Sequence, residues 1–388
     1  MPIHDLTYYG LSRDRGFLSA TEIDEVLLPP DFDEVEDSAA MLPAFISTGR
    51  IRHWLADLPI PDVAALIADG TDDEINVAMV RYSFLVQAYV WGETTPPAHL
   101  PANLAIPYVA LCDRMGLPPV MNYAAYVLDN WLRIDKEGVI ALDNIAMDQH
   151  FAGGQDESWF VLVHVAIEAV AGRALDLGVR LIRAADAGNA AKVQAMLIEM
   201  NGVWDEINAV FDRMVERCDP YVYFNRVRPY IHGWKNNPAL PDGLIYEGVA
   251  KFSGKPQALR GQTGSQSSIV PSMDALFGVV HENDVLREFL AELHLYRPVK
   301  HRAFIEDLQG ASGLRAFAMT QDQPLKDAFN ACVEQVARFR TRHLEYAASY
   351  INKQASDAAG NDPDVGTGGT PFMRYLKKHR DENRAQVI

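Results

Sequence analysis

The chain has 388 residues, 48% hydrophobic and 22% charged, with 35 basic against 52 acidic side chains and a formal net charge of −17. At roughly 150 residues per domain this length predicts two domains, or one large domain with a smaller lobe, and the hydrophobic share excludes a globally disordered chain. An acidic surface repels phosphate, so nucleic acid and anionic membranes are poor partners.

Met1 to Phe17 carries Asp5, Arg13, Asp14 and Arg15 and no long apolar run, so neither a secretory signal nor an arginine-rich transit peptide is expected there. Residues 55–69 read as a short helix stopped by Gly70. Residues 74–92 read as a helix opened by Thr71-Asp72-Asp73, and 102–115 as one closed by Gly116 and Pro118-Pro119. A further helix is expected over 120–133. Gly153-Gly154-Gln155-Asp156 then opens an apolar segment over 157–184. Its most apolar part, Trp159 to Ala171, is interrupted by His164 and Glu168 and falls far short of the ~20 residues of a membrane span. Residues 188–217 form a long helix with a break expected near Asn201-Gly202, and 220–232 are aromatic and basic. Later helices are expected at 283–295, 298–307, 311–319 and 324–352.

Alternating strand patterns are scarce, so the expected class is all-α. A smaller N-terminal helical lobe would occupy 1–150 and a large helical domain 151–388. Two stretches break the helical pattern. Residues 233–272 contain six glycines and four prolines, and 353–370 are rich in glycine, aspartate and alanine. Long connections of this kind tend to be lids or binding loops. The three cysteines, Cys112, Cys218 and Cys332, lie far apart and form no CxxC. A disulfide framework or zinc knuckle is therefore not expected, and a reducing, cytoplasmic setting is.

Three polar side chains stand in apolar surroundings. His343 falls in the stripe Cys332, Val333, Val336, Phe339, Arg340, His343, Leu344, Ala347, Tyr350, Ile351 of a long helix. It reads either as a core histidine bonded to a backbone carbonyl or as a neutral imidazole aimed at a metal, as in a haem pocket. His164 shares a helix face with Phe160, four residues earlier, and is either a satisfied core histidine or a polar tip over a ligand. Arg228 lies in Tyr223-Phe224-Asn225-Arg226-Val227-Arg228-Pro229-Tyr230; solvation is the default, but an arginine among rings also suits a carboxylate gripped by two parallel hydrogen bonds. The clusters Gly261 to Ser268 and Gly366 to Thr370 lack the strand–loop–helix setting of a phosphate or dinucleotide loop. HExxH and GxSxG are absent.

Several segments, taken together and in order, resemble the indoleamine 2,3-dioxygenase family of haem enzymes. They are Arg228 to Pro238, Asp242 to Gly248, Gly264 to Ser268, Arg340 to Leu344 and Gly366 to Thr370, with a looser match from Leu117 to Trp131. The resemblance implies a small helical lobe on a larger one with haem b between them, one iron per chain, and O2 as co-substrate. The implied reaction adds O2 across the indole C2–C3 bond of L-tryptophan or a related indole to give N-formylkynurenine, with an electron donor needed only to reduce ferric enzyme. His343 is then the proximal iron ligand and Arg228 the clamp for the substrate carboxylate. Tyr123, Phe160 and Tyr223 wall the indole pocket. Thr263 and Gly264 form the loop at the haem edge, Asp274 and Arg340 a polar pair on the propionate and proximal side, and Thr367 to Thr370 a loop closing over the substrate ammonium. His164, serine in some members and histidine in others, is similar to the distal histidine of tryptophan 2,3-dioxygenases and is the expected catalytic group. Tyr223 in place of the usual phenylalanine, and a small Val161, reshape the pocket and bear on substrate range. Two alternatives remain: a haem monooxygenase acting on a modified tryptophan in a biosynthetic pathway, and a haem sensor without turnover, which would have no use for the Arg228 clamp.

Overall fold

In a computed structural model of the protein, residues 3–282, 285–354, 361–369 and 372–388 are described. Helices dominate, as the periodicity predicts. Among the described residues the only strands are two-residue pairs: His99–Leu100 runs parallel to Ile245–Tyr246, and Leu132–Arg133 antiparallel to Ile145–Ala146.

The Asp72–Trp91 helix starts where its capping chemistry dictates. Thr71 Oγ1 accepts from Glu74 N at 3.2 Å while the Glu74 carboxylate accepts from Thr71 N at 2.7 Å, and Asp72, Asp73 and Glu74 meet the positive helix end. It is buried on nearly all sides and packs against Ala102–Met115, which ends at Gly116 with φ +67°. The Gln155–Asp186 helix, 32 residues long, packs along Ala190–Asp212; that helix packs along Gln323–Ala347, which in turn carries the C-terminal Phe372–Arg384 helix. One continuous apolar cluster runs from Ile3 in the N-terminal segment through these helices. The first residues reach across the chain: Tyr9 Oη donates to Asp307 Oδ2 at 2.6 Å, and Arg183 binds Asp5.

Four expectations for the elements change. The 55–69 helix is two pieces, Ile51–Leu55 and Val63–Asp69, because Pro59 and Pro61 cannot continue a helical ladder. The 120–133 helix shrinks to one wide turn, Ala124–Leu128. No break occurs at Asn201-Gly202: Met200, Val203 and Trp204 are buried on either side, and their packing outweighs the ~1 kcal/mol glycine penalty. A helix, Ile269–Phe277, begins inside the stretch expected to be irregular.

Candidate functional site

His164 on the Gln155–Asp186 helix and His343 on the Gln323–Ala347 helix border a common space. Between them lies a cavity with two chambers of about 120 Å3 each. His164, Phe211, Gly264, Ser265, His343 and Leu376 border both chambers.

His343 faces this space. Its ring has no hydrogen-bond partner among the described residues, and burial, with help from His164 and Arg340, lowers its pKa to about 4. It is a neutral imidazole with an unshared lone pair. His164 differs, because its Nδ1 lies 2.7 Å from the carbonyl oxygen of Phe160. A carbonyl only accepts, so Nδ1 carries the proton and Nε2 is left as an acceptor. Burial holds the pKa of His164 down as well. Of the two readings left open by the sequence, His164 satisfies the core-histidine one with one nitrogen and the ligand-facing one with the other.

Aromatic rings set the walls. Phe160 lies 4.8 Å from the His164 ring and 4.6 Å from Tyr223, and Tyr123 meets His164 edge-on at 6.2 Å. Phe211 stands 6.3 Å from His164 and 6.4 Å from His343. It is a wall common to both histidines, and nothing in its sequence surroundings separates it from an ordinary core phenylalanine. Tyr123 is held by its backbone, which donates to Gln266 Oε1 at 2.9 Å, and by its hydroxyl, which donates to Glu168 Oε1 at 3.0 Å. Ser267 Oγ donates to the same Glu168 oxygen at 2.9 Å. Burial raises the Glu168 pKa to about 7 against the pull of these two bonds.

The glycine-rich segments converge on the cavity. Gly264 lies beside the imidazole: a Cβ there would sit 4.0 Å from His343 Cε1, an ordinary contact. Thr263 and Thr367 both line the second chamber, and Thr367 Oγ1 donates to Gln262 O. Gly233 and Gly261 cross so closely that a Cβ on either would sit 2.1 to 2.2 Å from the other's amide nitrogen. Asp274 and Arg340 form a bidentate pair at 3.0 and 2.6 Å beside the first chamber, which drives the Asp274 carboxyl far below its ordinary range. Arg297, absent from the sequence reading, lines the same chamber. It is 3% exposed, donates to Ser265 O and Ser267 O, lies 3.2 Å from His294 Nδ1, faces no carboxylate among the described residues, and is lowered to about 10 by burial. A buried guanidinium without an anion marks where an acidic ligand group would sit.

Arg228 departs from expectation. It borders neither chamber, although Tyr223 and Ile231 of the same segment do. Its guanidinium is fully buried, stacked 5.2 Å from the Phe224 ring, and donates to Asn361 Oδ1 and Val365 O; Nε has no partner among the described residues. The segment leading into Gly366-Thr367 therefore occupies the two donor positions that a carboxylate would take. Thr370 lies outside the described residues.

The donor set fits an iron porphyrin: a buried neutral imidazole with a free nitrogen, Gly264 beside it, apolar walls and a buried cation for an acidic substituent. Three wide helical turns, Ala124–Leu128, Tyr223–Val227 and Ala348–Asn352, adjoin the cavity wall, and such turns recur at functional sites.

A helical bundle with a histidine-faced cavity of this kind defines a ligand- or cofactor-binding α protein. The comparisons make that specific. The family model described as "Indoleamine 2,3-dioxygenase" matches residues 5–386, and the chain belongs to that family. It is similar to rat indoleamine 2,3-dioxygenase 1, 31% identical over 397 residues covering 99% of this chain and 96% of the relative. Human indoleamine 2,3-dioxygenase 2 is 30% identical, covering 99% of this chain and 95% of that one. The 6-hydroxytryptophan 2,3-dioxygenase of Fusarium equiseti is 28% identical, covering 97% and 96%. Among the described residues no helix is long and apolar enough to cross a membrane.

Proposed function

We propose that this protein is a haem-dependent dioxygenase that adds both atoms of O2 across the indole C2–C3 bond of L-tryptophan or a related indole, yielding N-formylkynurenine. The observation that carries the reading is the neutral His343 imidazole facing a two-chamber cavity opposite His164, in a chain of the indoleamine 2,3-dioxygenase family. His343 would hold one haem b per chain, with Arg297, Arg340 and the Thr263-Gly264 loop around its edge. When bound, the haem supplies the redox chemistry that O2 insertion into an aromatic ring requires.

The remaining work falls to the chain's own residues. Tyr123, Phe160 and Tyr223 fix the plane of the indole. His164 Nε2, kept as an acceptor by the Nδ1–Phe160 bond, receives a hydrogen bond from the indole N–H. Arg228 grips the substrate carboxylate once Asn361 and Val365 release it, and Thr367 and Thr370 close over the ammonium. The Thr367 Oγ1–Gln262 O bond joins the two glycine loops, which exclude water. An electron donor reduces ferric enzyme before the first turnover, and the location is cytoplasmic.

The test is turnover of tryptophan under 18O2 with spectra of the purified protein. Two labelled atoms in one product support the dioxygenase; one labelled atom favours a monooxygenase. The Fusarium relative's name, with Tyr223 offering a hydroxyl in the wall, favours including ring-hydroxylated tryptophans among the substrates tried.

A further inference from the structure

At the edge of the first chamber, which His379 and Asp274 border, the C-terminal Phe372–Arg384 helix meets the turn that follows the Ile269–Phe277 helix. His379 and Glu382, one turn apart on the C-terminal helix, face His281 in that turn. One nitrogen of each imidazole and one Glu382 oxygen lie within 4.8 Å of one another, and the two imidazole centroids are 4.9 Å apart. We propose that His281, His379 and Glu382 form a binding site for a divalent first-row transition-metal ion.

Three observations support it. The donor set, two imidazoles and a carboxylate, suits Zn2+, Ni2+, Cu2+ or Fe2+ rather than the oxygen-preferring Mg2+ or Ca2+. His379 Nε2 is buried with no hydrogen-bond partner among the described residues. His281 already has the outer support that metal-bound histidines use: Nε2 lies 3.2 Å from Asp274 Oδ2, which leaves Nδ1 to point at Glu382 Oε2, 2.6 Å away. A tetrahedral ion with bonds of ~2.1 Å sets its ligand atoms ~3.4 Å apart, so modest side-chain rotation closes the triangle. The ion enters at the His281–Glu382 contact and displaces the proton shared there. Nearby cations leave that corner clear. Lys378 Nζ is 3.4 Å from the other Glu382 oxygen and 2.9 Å from Glu282, and Arg340 is spent on Asp274.

The bound ion would pin the C-terminal helix to Asp274, and through Asp274 to Arg340, one turn before His343. The experiment uses the full-length haem-loaded chain, stripped with a chelator and desalted, then dialysed against ZnCl2, with zinc per chain counted by mass spectrometry. Wild type is expected to take up one zinc per chain and to gain thermal stability from it. His379→Asn and Glu382→Gln should weaken uptake by more than the ~10–100-fold that losing an outer-shell partner costs. Circular dichroism checks that both variants fold; the thermal shift with zinc in wild type alone reads the site independently of them. Absence of zinc uptake by wild type, or equal affinity in folded His379→Asn, overturns the proposal.

Discussion

Replacing Arg228 tests the substrate side of the site most sharply. The guanidinium is fully buried without a carboxylate partner among the described residues, and burial lowers its pKa from 12.5 to about 10. That displacement corresponds to ~3 kcal/mol against the charged form, a cost present at neutral pH and relieved only above the folded pKa. In the proposed function a substrate carboxylate would supply the missing anion, and a charge-assisted pair of bonds contributes ~1.5–3 kcal/mol. Arg228→Leu should therefore raise KM for L-tryptophan by ~10- to 150-fold. Arg228→Lys should recover little, since an ammonium cannot fork across two carboxylate oxygens. Steady-state formation of the kynurenine product measures the effect, with tryptamine as the control substrate. Lacking the carboxylate, tryptamine should be used equally poorly by wild type and Arg228→Leu. Loss of tryptamine turnover would trace to freed Asn361 and Val365 disturbing the loop, and a KM for tryptophan indistinguishable from wild type would refute the clamp.

His343→Ala should abolish stable haem binding, and a normal Soret band in that variant would overturn the ligand assignment. His164→Ala should slow turnover while haem content stays at the wild-type level; loss of haem would mean that the two faces of the cavity are reversed. Gly233→Ala places a methyl 2.1 Å from Gly261 N, where backbone on both sides cannot yield, and should cost at least the ~1–3 kcal/mol of ordinary overpacking in a denaturant titration. For Glu168 the folded pKa of about 7 lies above the ordinary 4.5, so the folded state keeps its proton longer than the unfolded chain does. The stability this contributes is present below about 4.5 and lost as pH rises to about 7, amounting to ~3 kcal/mol. Glu168→Gln should remove that part of the pH dependence, and identical stability profiles for the two proteins would refute it.

Much of the scaffold was legible because its signals are local. Thr71-Asp72-Asp73, Gly116 after Met115, and the apolar run behind Gly154 each encode a helix end within a few residues. Local signals failed where packing decides. Gly202 passes through a helix because its neighbours are buried, and 120–133 holds a single wide turn although its residues favour a longer helix. At the site, periodicity placed His343 and His164 in apolar stripes but left each between a core role and a ligand-facing one. The resemblance to a known family implies the ligand-facing role for each, and the free nitrogens in the fold bear on the same choice.

The amino-acid order alone thus determined the all-α class, the helix ends set by capping residues and the family to which the chain belongs. Only tertiary structure decided that Phe211 serves both histidines, that Arg297 is a buried cation without an anion among the described residues, that Arg228 is held by the 361–365 segment, and that His281 meets His379 and Glu382. Each of these joins residues far apart along the chain. Whether such groups meet is settled by how helices pack around a shared core, a balance of burial against desolvation that no short stretch of sequence carries.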